Sequence, residues 1–198
     1  MNVELDVHLL SPADKLEELN RQFLDLTRGQ TLVLIDDEDP SVLQAQFDVD
    51  HVGSYSWTIP ERTSPLHLIH ITRLTAADVP RVLGNAQLVA AEAQTSPAGV
   101  VWKLQPRQRQ LDANIVRLPA HGAIDSHLGG DLDVLLVVLD GAGTLTTETG
   151  DIELTAGSLA WLPRRSLRAF SADAAGLTYF TVHQRRQGLT IGRRPTTA

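Results

Sequence analysis

The spacing of apolar residues changes period several times along the chain, and each change predicts an element. Residues 3–7 (VELDV) alternate over the length of a short strand. Ser11, Pro12 and Asp14 then supply an N-cap, a proline at the first helical position and an acid in the first turn. Leu16, Leu19, Phe23 and Leu26 recur at helical spacing, and Gly29 offers a left-handed stop. Residues 31–35 (TLVLI) form an apolar run suited to a central strand buried on both faces. Asp39 and Pro40 repeat the cap-plus-proline signature, with Leu43 and Phe47 one turn apart on a second short helix. Two β-rich runs follow, 54–59 and 66–73, joined by a loop that holds Pro60 and Pro65. The predicted order is β-α-β-α-β-β.

Residues 76–99 are Ala-rich and loosely helical, and they end in the breaker cluster Thr95-Ser96-Pro97-Ala98-Gly99. From residue 100 onward the pattern predicts strands near 100–104, 114–118, 133–139, 143–147, 151–154, 159–162, 167–171 and 177–183. Turns are expected at Gly129-Gly130, Gly141, 148–150 and Ala156-Gly157. Short strands at this spacing argue for a double-sheet barrel or jelly roll. The expected architecture is therefore two domains: an α+β two-layer sandwich over 1–75, a helical linker over 76–99, an all-β barrel over 100–186 and a flexible tail over 187–198.

Composition narrows the chemistry. With 42% hydrophobic and 21% charged residues among 198, the chain can bury a core and reads as globular. It has no cysteine, which removes disulfides, thiolate nucleophiles, iron–sulfur ligation and persulfide carriage. Net charge is −7, concentrated in residues 1–75, where 13 acids face 5 Lys/Arg. The basic residues cluster only at Arg164, Arg165 and Arg168 and at the pairs Arg185/Arg186 and Arg193/Arg194, too few for a phosphate-tracking surface, so no nucleic-acid partner is expected. The first residues lack a basic n-region and no apolar run is long enough to span a bilayer, so a cytoplasmic protein without membrane contact is the expectation.

Three stretches of the C-terminal part carry a family resemblance. They are residues 116–122 (VRLPAHG) followed by His127, residues 134–141 (VLLVVLDG), and residues 154–163 (LTAGSLAWLP). This part resembles the cupin superfamily, which implies a cupin-like jelly-roll barrel. The resemblance also implies a metal held by a His-x-His pair and a glutamate from the first motif and by one histidine from the second. In this chain Gly129 stands where the second histidine falls, the acid position corresponds to Asp131, Asp133 or Val134, and the second-motif histidine aligns with Arg168. The N-terminal part resembles the DUF2249 family, which looks like the TusA-like sulfur-carrier fold. The matching residues are 5–12 (LDVHLLSP), 31–47 (TLVLIDDEDPSVLQAQF) and 53–57 (GSYSW). Sulfur-carrier relatives deliver persulfide from a Cys-Pro pair; Ser11-Pro12 stands here, so the fold carries over and the activity does not.

Against that background a noncanonical metal set is expected from His121, His127, Asp133 and His183. Three imidazoles with a carboxylate would suit one divalent transition metal, Fe, Mn, Zn or Cu. The plainer reading is hydrogen-bonded polar residues at strand ends. Tyr179, Thr181 and His183 share one face of the last strand, and Arg168 follows Pro163 with Arg164 and Arg165 at the barrel rim. Arg164, Arg165 and Arg168 could form an anion pocket for a carboxylate or phosphate, and Arg168 and Tyr179 are the candidate ligand contacts. The competing account is solvated loop charge balanced by the acidic N-terminal domain. His8, His67 and His70 are expected to be structural. The acids at 36–39 read as a helix cap rather than a calcium loop, and Trp57, Trp102 and Trp161 as core residues.

Two functional readings stay open. One is a small-molecule-binding or regulatory protein of unassigned activity. The other is a metal-dependent cupin enzyme of dioxygenase or isomerase type that uses the His/Asp set. Cupin-like barrels often pair through strands, which makes a homodimer an expectation.

Overall fold

The computed structural model describes residues 3–63 and 66–185. The chain divides into two compact units. One takes the residues up to Val82 together with Gln105–Gln108; the other takes Leu83–Leu104 and the described residues from Arg109 onward.

The first unit is α+β. Its elements are β1 (Val3–Asp6), α1 (Pro12–Asp25), β2 (Thr31–Asp36), α2 (Pro40–His51), β3 (Tyr55–Thr63) and β4 (Leu66–Arg73). Ser11 caps α1 by accepting from the Asp14 N–H, and Asp39 caps α2 by accepting from the Ser41 N–H, as their side chains allow. The sheet order is β1-β2-β4-β3, with β1 and β2 parallel and the other pairs antiparallel. Leu16, Leu19 and Phe23 of α1 and Leu43 and Phe47 of α2 join Leu32, Leu34, Ile69 and Ile71 of the sheet in one core. β2 is central, yet only alternate residues are buried, because the helices cover one face of the sheet. Gly29 has φ of 85° in the turn into β2 rather than at the helix end; α1 stops earlier, at Asp25, with the Leu26 N–H returning to the Phe23 carbonyl.

The second unit is β-rich. It opens with α3 (Ala86–Glu92) and a 3-10 turn (Ala93–Thr95). The strands follow as β5 (Gly99–Lys103), β6 (Leu111–Leu118), β7 (Ala123–Leu128), β8 (Val134–Thr147), β9 (Gly150–Thr155), β10 (Leu159–Leu162) and β11 (Leu167–Gln184). They form one sheet, with the path β10-β8-β11-β6-β5, β7 paired to β11 and β9 paired to β8.

Two expectations are corrected here. The turn at Gly141 lies inside the single strand β8, and the two runs around 167–183 are one strand, β11. Both strands bend where they cross. The β8–β11 register slips between Ala172 and Leu177, and a Cβ on Gly141 would stand 2.0 Å from the Gly176 carbonyl oxygen. Glycine marks a close backbone approach there, not a chain reversal. Strand β7 had no sequence signal, because Ile124 is its only residue that is not exposed.

The core of this unit gathers Leu118, Leu136, Val138, Leu145, Leu154, Leu162, Phe170, Leu177 and Tyr179. Trp161 is not a core residue: it is 65% exposed on β10, directly across from Leu135. The expected tail over 187–198 lies outside the described residues.

Candidate functional site

The interior face of the second unit combines apolar residues such as Leu136, Val138 and Leu145 with polar ones, among them Arg168, Thr181 and Asn114. Arg168 pairs across the sheet with His127 of β7 on one side and Thr147 of β8 on the other, so the three side chains leave the sheet on one face. Phe170, two residues on, shares that face and stacks on Tyr179, with ring centroids 5.5 Å apart and planes 16° apart. Tyr179 stands beyond the bend of β11, buried to 4% exposure. Burial pushes its phenol up to about 12, partly offset by the Arg168 charge, so at neutral pH it remains an O–H group. Burial likewise pushes the Arg168 guanidinium down from its ordinary value, though not out of its charged form.

The guanidinium extends over Gly129. A Cβ built there would stand 2.8 Å from Nη2 and 2.9 Å from Cζ. The bare backbone at 129 makes the space that the guanidinium fills. Arg168 Nη1 is enclosed and has no hydrogen-bond partner. Among its neighbours in sequence, the Arg165 Nε–H donates to Asp131 at 2.7 Å, and the Arg164 backbone N–H donates to Asp133 at 2.8 Å. Asp131, in the same unit, thus supplies counter-charge to Arg165.

The residues expected to form a metal set occupy separate positions. His121 is exposed in the turn between β6 and β7, with φ of 58°. His127 is exposed on β7, and its Nδ1–H donates to the Asp125 carbonyl at 2.9 Å. Asp133 is taken by Arg164, and His183, near the end of β11, donates from Nδ1 to the Gln184 carbonyl at 2.8 Å. Among the described residues, no group of three or more His, Asp or Glu side chains is placed to hold a metal ion. The two ligand candidates both lie on β11, and the Arg168 charge works against the upward push of burial on the Tyr179 phenol.

In the first unit the buried Lys15 and His51 are paired, while Ser54 Oγ, Trp57 Nε1 and His67 Nδ1 are enclosed without a hydrogen-bond partner. Lys15 is buried, with Nζ 2.7 Å from Asp36 and 3.3 Å from Glu38, so an internal ammonium neutralises the acid run while Asp39 caps α2. His51 is buried between the Asp78 carboxylate and the Asn20 amide oxygen, each at 2.9 Å. His67 is across from Asp36 and His70 across from Val33, on opposite faces of the sheet.

Residues 4–73 match the DUF2249 family. Its description reads "Uncharacterized conserved protein (DUF2249)". Within the matched residues, the Ser11 hydroxyl caps α1 by accepting from the Asp14 N–H and donates to the Asp14 carboxylate, 2.6 Å away.

Among curated proteins nothing matches the chain. Solved structures similar to it include proteins described as cupins. A cupin-2 domain containing protein from Shewanella frigidimarina is 16% identical, with 52% of this chain and 95% of that chain covered and a TM-score of 0.42. A cupin protein from Bacteroides fragilis is 20% identical over 46% of this chain and 80% of that one, with a TM-score of 0.36. A Bacillus halodurans protein is 14% identical over 55% and 85%, with a TM-score of 0.44. No helix among the described residues is long and apolar enough to cross a membrane.

Sequence reasoning passed over several polar residues that the fold buries. Lys15, His51, Arg73 and Arg117 are each at most 6% exposed. The signal for His51 was present, since it follows Phe47 by one helical turn on the buried face of α2. Arg73 and Arg117 each reach partners distant in sequence, Arg73 the Phe23 and Leu24 carbonyls and Arg117 the Ser96 carbonyl, which no local pattern announces.

Proposed function

We propose that the second unit is a cupin-like jelly roll that binds a small molecule at the interior surface around Arg168, Phe170 and Tyr179, and that the protein acts by binding rather than by metal catalysis. The observation that carries this reading is the enclosed, unpartnered Nη1 of Arg168. A charged N–H withdrawn from water without an acceptor costs about 1–3 kcal/mol or more. Such a group is explained where a ligand supplies the acceptor. The bend of β11 supports the jelly-roll reading: its first half pairs with β7 and its second half with β6, while β8 runs beside both.

The same unit has a hollow of about 180 Å³ on the opposite face of the sheet, where Val89 of α3 meets Trp102, Ile115 and Phe180. The proposal is tested by recording backbone and side-chain NMR shifts of the full chain against a panel of small acids, amides and alcohols. Shifts centred on Arg168, Phe170 and Tyr179 are expected. Shifts confined to Val89 and Trp102, or none at millimolar concentrations, would overturn it.

A further inference from the structure

Resting on that reading, we infer that the ligand of the Arg168 surface is a small monocarboxylate with an apolar, preferably aromatic, body. The site offers one guanidinium, one phenol and a stacked aromatic wall. Arg168 supplies the positive charge and an uncommitted Nη1–H. Tyr179 supplies a hydroxyl that burial keeps protonated, and therefore able to donate to a second carboxylate oxygen. Phe170 and Tyr179, stacked 5.5 Å apart, form an apolar surface together with Leu145 and Ile124, which face Phe170 from β8 and β7.

The charge balance selects the class. A carboxylate brings one negative charge to one guanidinium, in the planar geometry that the guanidinium fork matches. A phosphate would bring close to two charges, and the second would need another cation at the same place. Of the arginines nearest in sequence, Arg165 is already paired with Asp131, which neutralises its charge. Neutral ligands would leave the Arg168 Nη1–H facing at best an uncharged acceptor, a weaker match in an apolar setting. Gly129 belongs to the specificity of the site, because any side chain there would claim the volume the guanidinium occupies.

The experiment is calorimetric titration of the full chain with benzoate, benzamide and inorganic phosphate, repeated on Arg168→Gln, Gly129→Ala and Tyr179→Phe, with thermal unfolding measured on each variant. Benzoate is expected to bind roughly tenfold or more tightly than benzamide, and to lose that advantage in Arg168→Gln and in Gly129→Ala. Tyr179→Phe should weaken benzoate several-fold while keeping the ring stack. If Arg168→Gln does not fold, the Gly129→Ala and Tyr179→Phe variants carry the test. Equal binding of benzoate and benzamide would overturn the carboxylate assignment and leave the binding reading standing. Tighter binding of phosphate than of benzoate would overturn it in favour of a phosphate ligand. No binding of any probe, with no NMR shifts from the wider panel, would overturn both.

Discussion

The Arg168 guanidinium fills the space that a side chain at Gly129 would take, with a Cβ at 129 falling 2.8 Å from Nη2. The two positions are coupled: one gives up its side chain and the other extends into the gap. The resemblance to cupins implies a histidine at each of these positions, where this chain has a glycine and an arginine.

Glycine substitutions separate this contact from the backbone crossing of β8 and β11. Gly129→Ala meets only the far end of a flexible side chain, and should cost about 1 kcal/mol or less in a urea unfolding curve. Gly141→Ala would place a Cβ 2.0 Å from the Gly176 carbonyl oxygen at φ of 77°, and should cost about 3 kcal/mol or more, or prevent the second unit from folding.

Metal analysis distinguishes the binding reading from the metalloenzyme reading. His127 lies directly across from the Arg168 guanidinium, whose charge opposes a second cation at that place. Protein purified without chelator is expected to hold well under one transition metal per chain, with the content unchanged in His127→Ala. Near-stoichiometric metal lost in that variant would establish the opposite.

In the first unit, Lys15→Met should destabilise by about 3 kcal/mol at neutral pH, because Asp36 would be left buried without its cation. The pH dependence follows from Lys15. Desolvation pushes its pKa down, but the hydrogen bonds and charges of Asp36 and Glu38 outweigh that and hold it above the usual lysine value. The folded state thus binds the proton more tightly than the unfolded chain does. Its contribution is complete below about pH 10.4 and is lost as pH rises through the higher folded value. Unfolding free energies measured from pH 8 to 12 should fall at the alkaline end in the parent, and fall less in Lys15→Met.

Arg73 is a cross-tie that folding cannot replace. Its guanidinium donates to the carbonyls of Phe23 and Leu24 at the end of α1 and to those of Thr75 and Ala76, and it lies 5.1 Å from the Phe23 ring centroid. Arg73→Met should lower stability by about 3 kcal/mol, read as a drop in thermal midpoint, because the carbonyls lose their donors.

Much of the first unit was readable in advance, since its signals are local. Ser11 and Asp39 cap the helices they were expected to cap, and the β-α-β-α-β-β order follows from Leu16, Leu19 and Phe23 at helical spacing set against the apolar run at 31–35. The second unit was readable as β-rich, but its strands were cut wrongly at Gly141, where a glycine that looks like a turn serves a close crossing. Ser11, Gly129 and Arg168 could be singled out as departures from two family patterns by sequence alone.

What the sequence determined, then, was the local order of elements and the absence of thiol chemistry, because caps, periodicity and composition act within a few residues of one another. Only the tertiary structure decided which candidates meet. Arg168 and Tyr179 lie on either side of the register slip of β11, whereas His127, Asp133 and His183 each have a hydrogen-bond partner of their own. Convergence of side chains depends on strand register and on the bend, and both are set by packing between segments far apart in the chain.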